Sequence, residues 1–306
     1  MKETAHIPVL LEETIAVLDP RPGETAFDGT VGSGGHALAI AEKMGGRGTL
    51  IATDLDEANL AEARAAVTER FSSLSATWVR GNYADARSIL NSAGVDFVDV
   101  LLLDLGFSSA HLISGRGFSF AKPEEELDMR YDATKGVTAA DIVNGATESE
   151  LAEIFWKYGE EGFSRRIAKA IVEARKKGKI SRVGELTEIV DGSLPASARR
   201  KINQATKIFQ ALRIAVNGEL DNLQRLLGDL PEVVGVNGRA AIISFHSLED
   251  RMVKNAFRDL QKSGEAELIN KKPVVPKRSE VLSNPRSRSA KLRAVRMTGK
   301  RNKKVE

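Results

Sequence analysis

Cysteine is absent from the 306 residues, which excludes disulfides and thiolate metal sites and leaves the redox compartment undecided. Histidine is scarce. His6, His36, His111 and His246 stand far apart, without the paired spacing that holds a metal, so no metal site is expected. Long apolar runs are missing too: none approaches the ~20 residues that cross a bilayer, and the N-terminus has no signal-peptide core. The expectation is a soluble cytoplasmic protein with no membrane partner. A large net charge is also lacking, at +3, but the balance is lopsided. Residues 271–306 carry 13 Lys and Arg against 2 Glu, while the other 270 residues carry 32 basic against 40 acidic side chains. Such asymmetry fits a polyanion binder, and equally a solvated, partly disordered tail.

What the chain does have is a glycine-rich turn between two strands. Thr25-Ala26-Phe27-Asp28 reads as a strand opening into Gly29-Thr30-Val31-Gly32-Ser33-Gly34-Gly35-His36, and Thr49-Leu50-Ile51-Ala52-Thr53-Asp54 reads as the next strand. Strand, glycine turn, helix, strand, carboxylate is the βαβ layout that holds an adenosine-containing cofactor. Glycine lets the backbone approach a ligand, and a carboxylate at the second strand end accepts bonds from both ribose hydroxyls. The segment Gly32–Ala37 also satisfies the dinucleotide pattern G-x-G-x-x-A, so a nicotinamide enzyme has to be weighed. A pyrophosphate over that turn would meet Asp28 as an anion. S-adenosylmethionine has no phosphate and carries a sulfonium and an ammonium, which suits Asp28, Asp54 and Asp104 at three strand ends. Capping the turn is a second role compatible with Asp28.

Further along, a helix is predicted over Glu57–Arg70 and strands over 76–82 and 98–104. The last is a continuous apolar run, as expected of a parallel strand covered on both faces. Alternation then stops. Residues 105–135 read as a loop rich in Gly, Ser and charge, and 136–205 as helical, with Thr147-Glu148-Ser149-Glu150 spaced as a capping box. One long helix from about Gln204 to Leu227 is predicted to return the chain to the sheet. A buried strand over 238–245, a helix over Glu249–Lys262 and an edge strand over Lys291–Met297 complete it. The pattern describes a doubly wound α/β sheet with a helical domain inserted.

Asp104-Leu105-Gly106-Phe107-Ser108-Ser109 ends the fourth strand with a carboxylate, glycine-freed carbonyls, an aromatic face and two hydroxyls. That equipment suits the methylation of an exocyclic amine, whose lone pair is delocalised and must be held in line and hydrogen-bonded. Phe107 equally reads as core. His246 lies past a strand end on the same sheet edge and reads as a base contact or as part of a capped turn. Arg116-Gly117-Phe118-Ser119-Phe120 reads as a hinged lid or as packing of the insertion. Arg165, Arg166 and Lys169, then Arg175, Lys176, Lys177 and Lys179, read as a phosphate-following face or a solvated one.

Several blocks resemble a known family nearly end to end: His6-Ile7-Pro8-Val9-Leu10, Asp28-Gly29-Thr30 with Gly34-Gly35-His36, Asp104-Leu105-Gly106 with Ser108-Ser109, and Arg116–Phe120. Leu127-Asp128-Met129-Arg130, Phe209–Ile214, Ser244–Arg251 and Asn284–Ser289 continue the match in order. These are similar to the RsmH (MraW) family of bacterial small-subunit ribosomal RNA cytosine-N4 methyltransferases. The resemblance implies a Rossmann-like class I S-adenosylmethionine-dependent methyltransferase sheet with an inserted all-helical domain. Residues 1–110 and 206–306 would form the methyltransferase domain, and 111–205 a lid and helical domain that helps hold RNA. The implied substrate is a cytidine in the decoding region of 16S ribosomal RNA, with the small ribosomal subunit as partner; a homodimer is compatible. Implied cofactor contacts are Gly34, Gly35, His36, Asp54, Tyr83 (where relatives often have Phe), Asp104 and His111 (where relatives usually have Gln). Implied catalytic residues are Asp104, Phe107, Ser108 and His246. A non-catalytic RNA-binding assembly factor retaining the fold is the alternative, and the intact turn, Asp54 and Asp104 favour the enzyme.

Overall fold

The computed structural model describes residues 8–106, 112, 114–195 and 204–299; Phe107, Ser108 and His111 lie outside them. In chain order the elements begin with α1 (Leu11–Leu18), β1 (Thr25–Asp28), α2 (Gly35–Lys43), β2 (Thr49–Asp54), α3 (Glu57–Arg70), β3 (Ser75–Arg80), α4 (Ala86–Ser92) and β4 (Val98–Asp104). Next come α5 (Ala139–Gly145), α6 (Glu148–Gly159), α7 (Ser164–Arg175), α8 (Val183–Ser193), α9 (Gln204–Asn217) and α10 (Glu219–Val233). The chain ends with β5 (Val234–Ser244), α11 (Ser247–Ser263), β6 (Ala266–Leu268), α12 (Arg278–Ser283) and β7 (Lys291–Met297). No helix of the described residues is long and apolar enough to cross a membrane.

The chain divides into two compact units, 1–106 with 221–306, and 107–220. In the first, seven strands lie in the order β3-β2-β1-β4-β5-β7-β6, the doubly wound α/β sheet that was expected. Strands β3 to β5 are parallel; β7 is antiparallel to β5 and to β6. Successive residues of the central strands enter opposite cores. Ala26, Leu50, Ala52, Val100, Leu102, Ala241 and Ile243 pack with α1–α3. Phe27, Ile51, Leu101, Leu103, Ala240 and Ile242 pack with α4, α10 and α11. This two-sided burial is why β4 reads as an unbroken apolar run rather than an alternating one.

Two expectations are corrected here. The Lys291–Met297 strand is not at the edge, because β6 pairs with it from Ala266 opposite Met297 to Leu268 opposite Val295. Gly264 turns the chain back with φ 79°, and a strand of three residues is too short to show a period. The predicted single helix from Gln204 is two helices, broken at Gly218 with φ 59°. Ile208 and Leu212 on α9 enter the core of the second unit, whereas Leu223 and Leu227 on α10 cover the sheet. Residues 206–220 therefore fold with the insertion, not with the sheet.

The second unit is held by its own apolar core, including Phe155, Ile167, Ile171, Leu186, Ile208 and Leu212. Capping boxes start α5 at Thr138 with Asp141 and α6 at Thr147 with Glu150, the latter as the spacing predicts. The Arg116–Phe120 segment is tied into this unit: Phe118 stacks on Tyr131, with ring centroids 5.7 Å apart, and Phe120 meets Phe209 edge-on. A Cβ on Gly117 would come within 2.3 Å of the Glu126 carbonyl, so this glycine permits a close approach. Those are the contacts of packing. Arg175 leaves the basic run as well, since its Nη1 donates to the Val143 and Ala146 carbonyls at the end of α5. Arg165, Arg166 and Lys169 on α7 are exposed.

Candidate functional site

Three parallel strands end in aspartate along one edge of the sheet: β1 in Asp28, β2 in Asp54 and β4 in Asp104. Each strand end is followed by a turn, and the turns decide what each carboxylate can do. Asp28 is 1% exposed. Its Oδ1 accepts the Thr30 N–H at 3.1 Å, so it does cap the turn. Its Oδ2 is buried with no hydrogen-bond partner among the described residues. Burial pushes the Asp28 carboxyl up to about 7, and the nearby Asp54 charge adds to the rise.

Asp54 is better satisfied. Its Oδ2 accepts the Gly32 N–H at 2.9 Å, and its Oδ1 accepts the Asp56 N–H at 2.9 Å and the Asn59 side-chain amide at 3.3 Å. Even so, burial holds its carboxyl above the usual range. Lone pairs remain on Oδ2 for a diol, while the bond to Gly32 ties the glycine turn to the end of β2.

Asp104 closes β4 on the same edge of the sheet. Its N–H donates to Thr30 Oγ1 at 2.6 Å, so one threonine joins the ends of β1 and β4. About a fifth of the side chain is exposed, 20% by surface, yet its Oδ1 is buried without a partner among the described residues. Burial raises this carboxyl well above its ordinary value, and the charges of Asp28 and Glu249 push the same way. Asp104 Oδ2 lies 3.7 Å from His36 Nδ1, and His36 Nε2 is 3.1 Å from the Val9 carbonyl. His36 is buried in the first turn of α2.

The glycines have reasons of their own to be there. A Cβ on Gly34, at φ 88°, would meet Ala63 Cα of α3 at 2.8 Å, and one on Gly35 would meet Pro8 Cγ at 2.3 Å. A Cβ on Gly29 would strike Leu103 at 2.5 Å and the Tyr83 Cβ at 2.8 Å. Tyr83 therefore packs over the end of β1, in a short turn that the Asn82 side chain caps by accepting the Ala84 N–H at 2.9 Å. Gly34, Gly35, His36, Asp54, Tyr83 and Asp104 thus all border the carboxyl ends of β1, β2 and β4.

His246 is the N-cap of α11, so it is part of a capped turn. Its Nδ1 accepts the Glu249 N–H at 3.4 Å, and Glu249 Oε2 accepts the N–H groups of Phe245 at 2.8 Å and His246 at 3.3 Å. His246 Nε2 is 3.2 Å from Glu249 Oε1, but misaligned for a hydrogen bond. The ring serves the turn. Thr30, Asn59 and Glu249 escaped the sequence reading because a neutral hydroxyl, a neutral amide and a helix-start acid carry no mark of a site. Only the fold brings Glu249 to Asp104.

Two buried carboxylate oxygens without partners, with no Lys or Arg of the described residues paired to Asp28, Asp54 or Asp104, make a crevice that disfavours a diphosphate and fits a cation. S-adenosylmethionine, a sulfonium, is such a cation. Similar chains are abundant. "Ribosomal RNA small subunit methyltransferase H" of Dictyoglomus thermophilum is 46% identical over 294 residues, spanning 95% of this chain and 96% of the relative. The protein of that name in Syntrophus aciditrophicus is 45% identical over 311 residues, spanning 95% and 97%. With residues 3–298 matching its model, this chain belongs to the MraW methylase family.

Proposed function

We propose that the protein transfers a methyl group from S-adenosylmethionine to the exocyclic N4 of a cytidine in the decoding region of 16S ribosomal RNA, acting on the small subunit. The observation that carries the reading is the pair of partnerless carboxylate oxygens on Asp28 and Asp104, which suits a cationic methyl donor. The two relatives above carry the name of a small-subunit ribosomal RNA methyltransferase, which supports the RNA substrate.

When bound, the donor supplies an electrophilic methyl on sulfur. The chain's own residues supply the rest. Asp54, already fixed by Gly32, Asp56 and Asn59, accepts from the ribose hydroxyls without having to reorganise. Asp28 and Asp104 offset the donor's positive charge. Asp104, held through Thr30, accepts an amine N–H of the target base and so orients the nitrogen lone pair. Phe107 and Ser108, three and four residues further along the chain, are proposed to flank the base. Tyr83 borders the adenine and His111 the methionine end. His246 shapes the turn below. A cytidine in a duplex would first be flipped out. On the insertion, exposed Arg165, Arg166 and Lys169 offer contacts for phosphates.

Incubation with labelled methyl donor and undermethylated small subunits, followed by nucleoside mapping, tests this. N4-methylcytidine in the decoding region is expected, and label on another base or region overturns the assignment. Asp104→Ala should cut turnover by about 100-fold or more while leaving RNA affinity within about threefold; equal losses in both would remove Asp104 from the methyl.

A further inference from the structure

The crevice holds more buried acid than its hydrogen bonds account for. Thr30 stands between Asp28 and Asp104, its N–H on one carboxylate and its hydroxyl on the backbone of the other. The titratable groups that bear on this pair are Asp54 from β2, His36 from α2 and Glu249 from α11, the last 3.2 Å from His246. Two of these four, Asp54 and Glu249, are acids, and none is a lysine or arginine. The geometry of His36 sharpens the point. A carbonyl only accepts, so the bond to Val9 places a proton on Nε2. His36 Nδ1 lies 3.7 Å from Asp104 Oδ2. Burying both carboxylates as anions, each with an oxygen that lacks a partner among the described residues, costs more than keeping a proton on the cluster.

We propose that the free crevice retains a proton on the Asp28–Asp104–His36 cluster and loses it to solvent when S-adenosylmethionine binds, so that the site favours the sulfonium donor over its uncharged thioether product. In the step one O–H or N–H bond breaks and the proton passes to buffer. The carboxylate left behind faces the cation, and nothing is oxidised or reduced. The upward displacement of Asp28 to about 7, and of Asp104 beyond its usual range, agrees with a proton held near neutral pH. The inference rests on S-adenosylmethionine being the donor. It also gives the product a reason to leave: once the methyl is transferred, the charge that kept the cluster ionised is gone.

Isothermal titration of the full chain at pH 7, in two buffers of different ionisation enthalpy, counts the protons released. S-adenosylmethionine and sinefungin, which keeps a cation at the sulfonium position, should each release close to one proton, and S-adenosylhomocysteine close to none. Between pH 6 and 7 the donor's Kd should tighten by up to about tenfold, with the product's Kd nearly flat. In Asp28→Asn the release should fall while both ligands still raise the melting temperature. If that variant does not fold, the three-ligand proton count on the natural chain decides alone. Equal release by donor and product, or none by the donor, overturns the proton cluster and leaves the donor assignment standing. Failure of all three ligands to bind overturns both.

Discussion

Each unit of the molecule buries polar clusters, and two of them are built on opposite terms. In the insertion, Arg213 meets Glu219 through Nε at 2.9 Å and Nη2 at 3.0 Å, and the Tyr131 hydroxyl donates to the same carboxylate at 3.0 Å. Asn217 accepts the Tyr131 N–H and donates to the Met129 and Arg213 carbonyls. Nearby, burial pushes the Asp128 carboxyl up, but hydrogen bonds from Arg130 outweigh it and hold the group below its usual range. In the crevice, burial pushes Asp28 and Asp104 up and no Lys or Arg of the described residues answers. A satisfied buried cluster holds a fold, whereas one left short of positive charge costs stability until a ligand completes it.

The largest test of this contrast is Arg213→Ala. It removes the guanidinium that meets the buried Glu219 carboxylate through two bonds, which should cost about 3–5 kcal/mol of stability in chemical denaturation. The Kd for S-adenosylmethionine, measured on the folded fraction, should not move. If donor affinity falls in step with stability, the two clusters are not independent and the contrast fails.

The crevice was legible in the sequence wherever a charge closes an apolar run, since Asp28, Asp54 and Asp104 interrupt three buried strands and could not be missed. Thr30 was invisible because its work is done by a neutral hydroxyl and an N–H inside a glycine turn. The reason for Gly34 and Gly35 was also out of reach, because Ala63 and Pro8 fill the space beside them only once α3 and the N-terminal segment have packed. The break at Gly218 escaped for a different reason. The apolar stripe runs on through it, but its two halves face two different cores, and periodicity reports a buried face without saying what buries it.

A smaller effect probes the other half of the contrast. The Asp28 carboxyl has a folded value of about 7 against an ordinary 3.8. The native state therefore binds this proton more tightly than the unfolded chain does, and its stability falls as pH rises from about 4 to 7 and stays lower above that. Asp28→Asn removes the penalty while keeping an oxygen for the Thr30 N–H. Without ligand the variant should be more stable than the natural chain by about 1–3 kcal/mol at pH 8, with no gain at pH 4. A gain equal at both pH values would mean that the buried charge is not what the crevice strains against.

The smallest effect concerns a place where the insertion, too, leaves charge unanswered. Helix α7 begins with Arg165 and Arg166, has no acid in its first turn, and has no side-chain cap at Phe163. Cations at the positive end of a helix cost about 0.3–1 kcal/mol each, and neither arginine pairs with an acid among the described residues. Like the crevice carboxylates, they are unfavourable in the free protein and suit a ligand of opposite sign, here a phosphate backbone. Replacing both by Gln should leave stability unchanged or raise it by less than about 1 kcal/mol. The same change should lower the salt dependence of RNA binding by close to two phosphate contacts, about 1.4–1.8 in the slope of log K against log salt. A loss of stability would assign the pair to the fold. An unchanged slope would return them to the solvent, and the deficit of opposite charge would then mark a site only where it is buried.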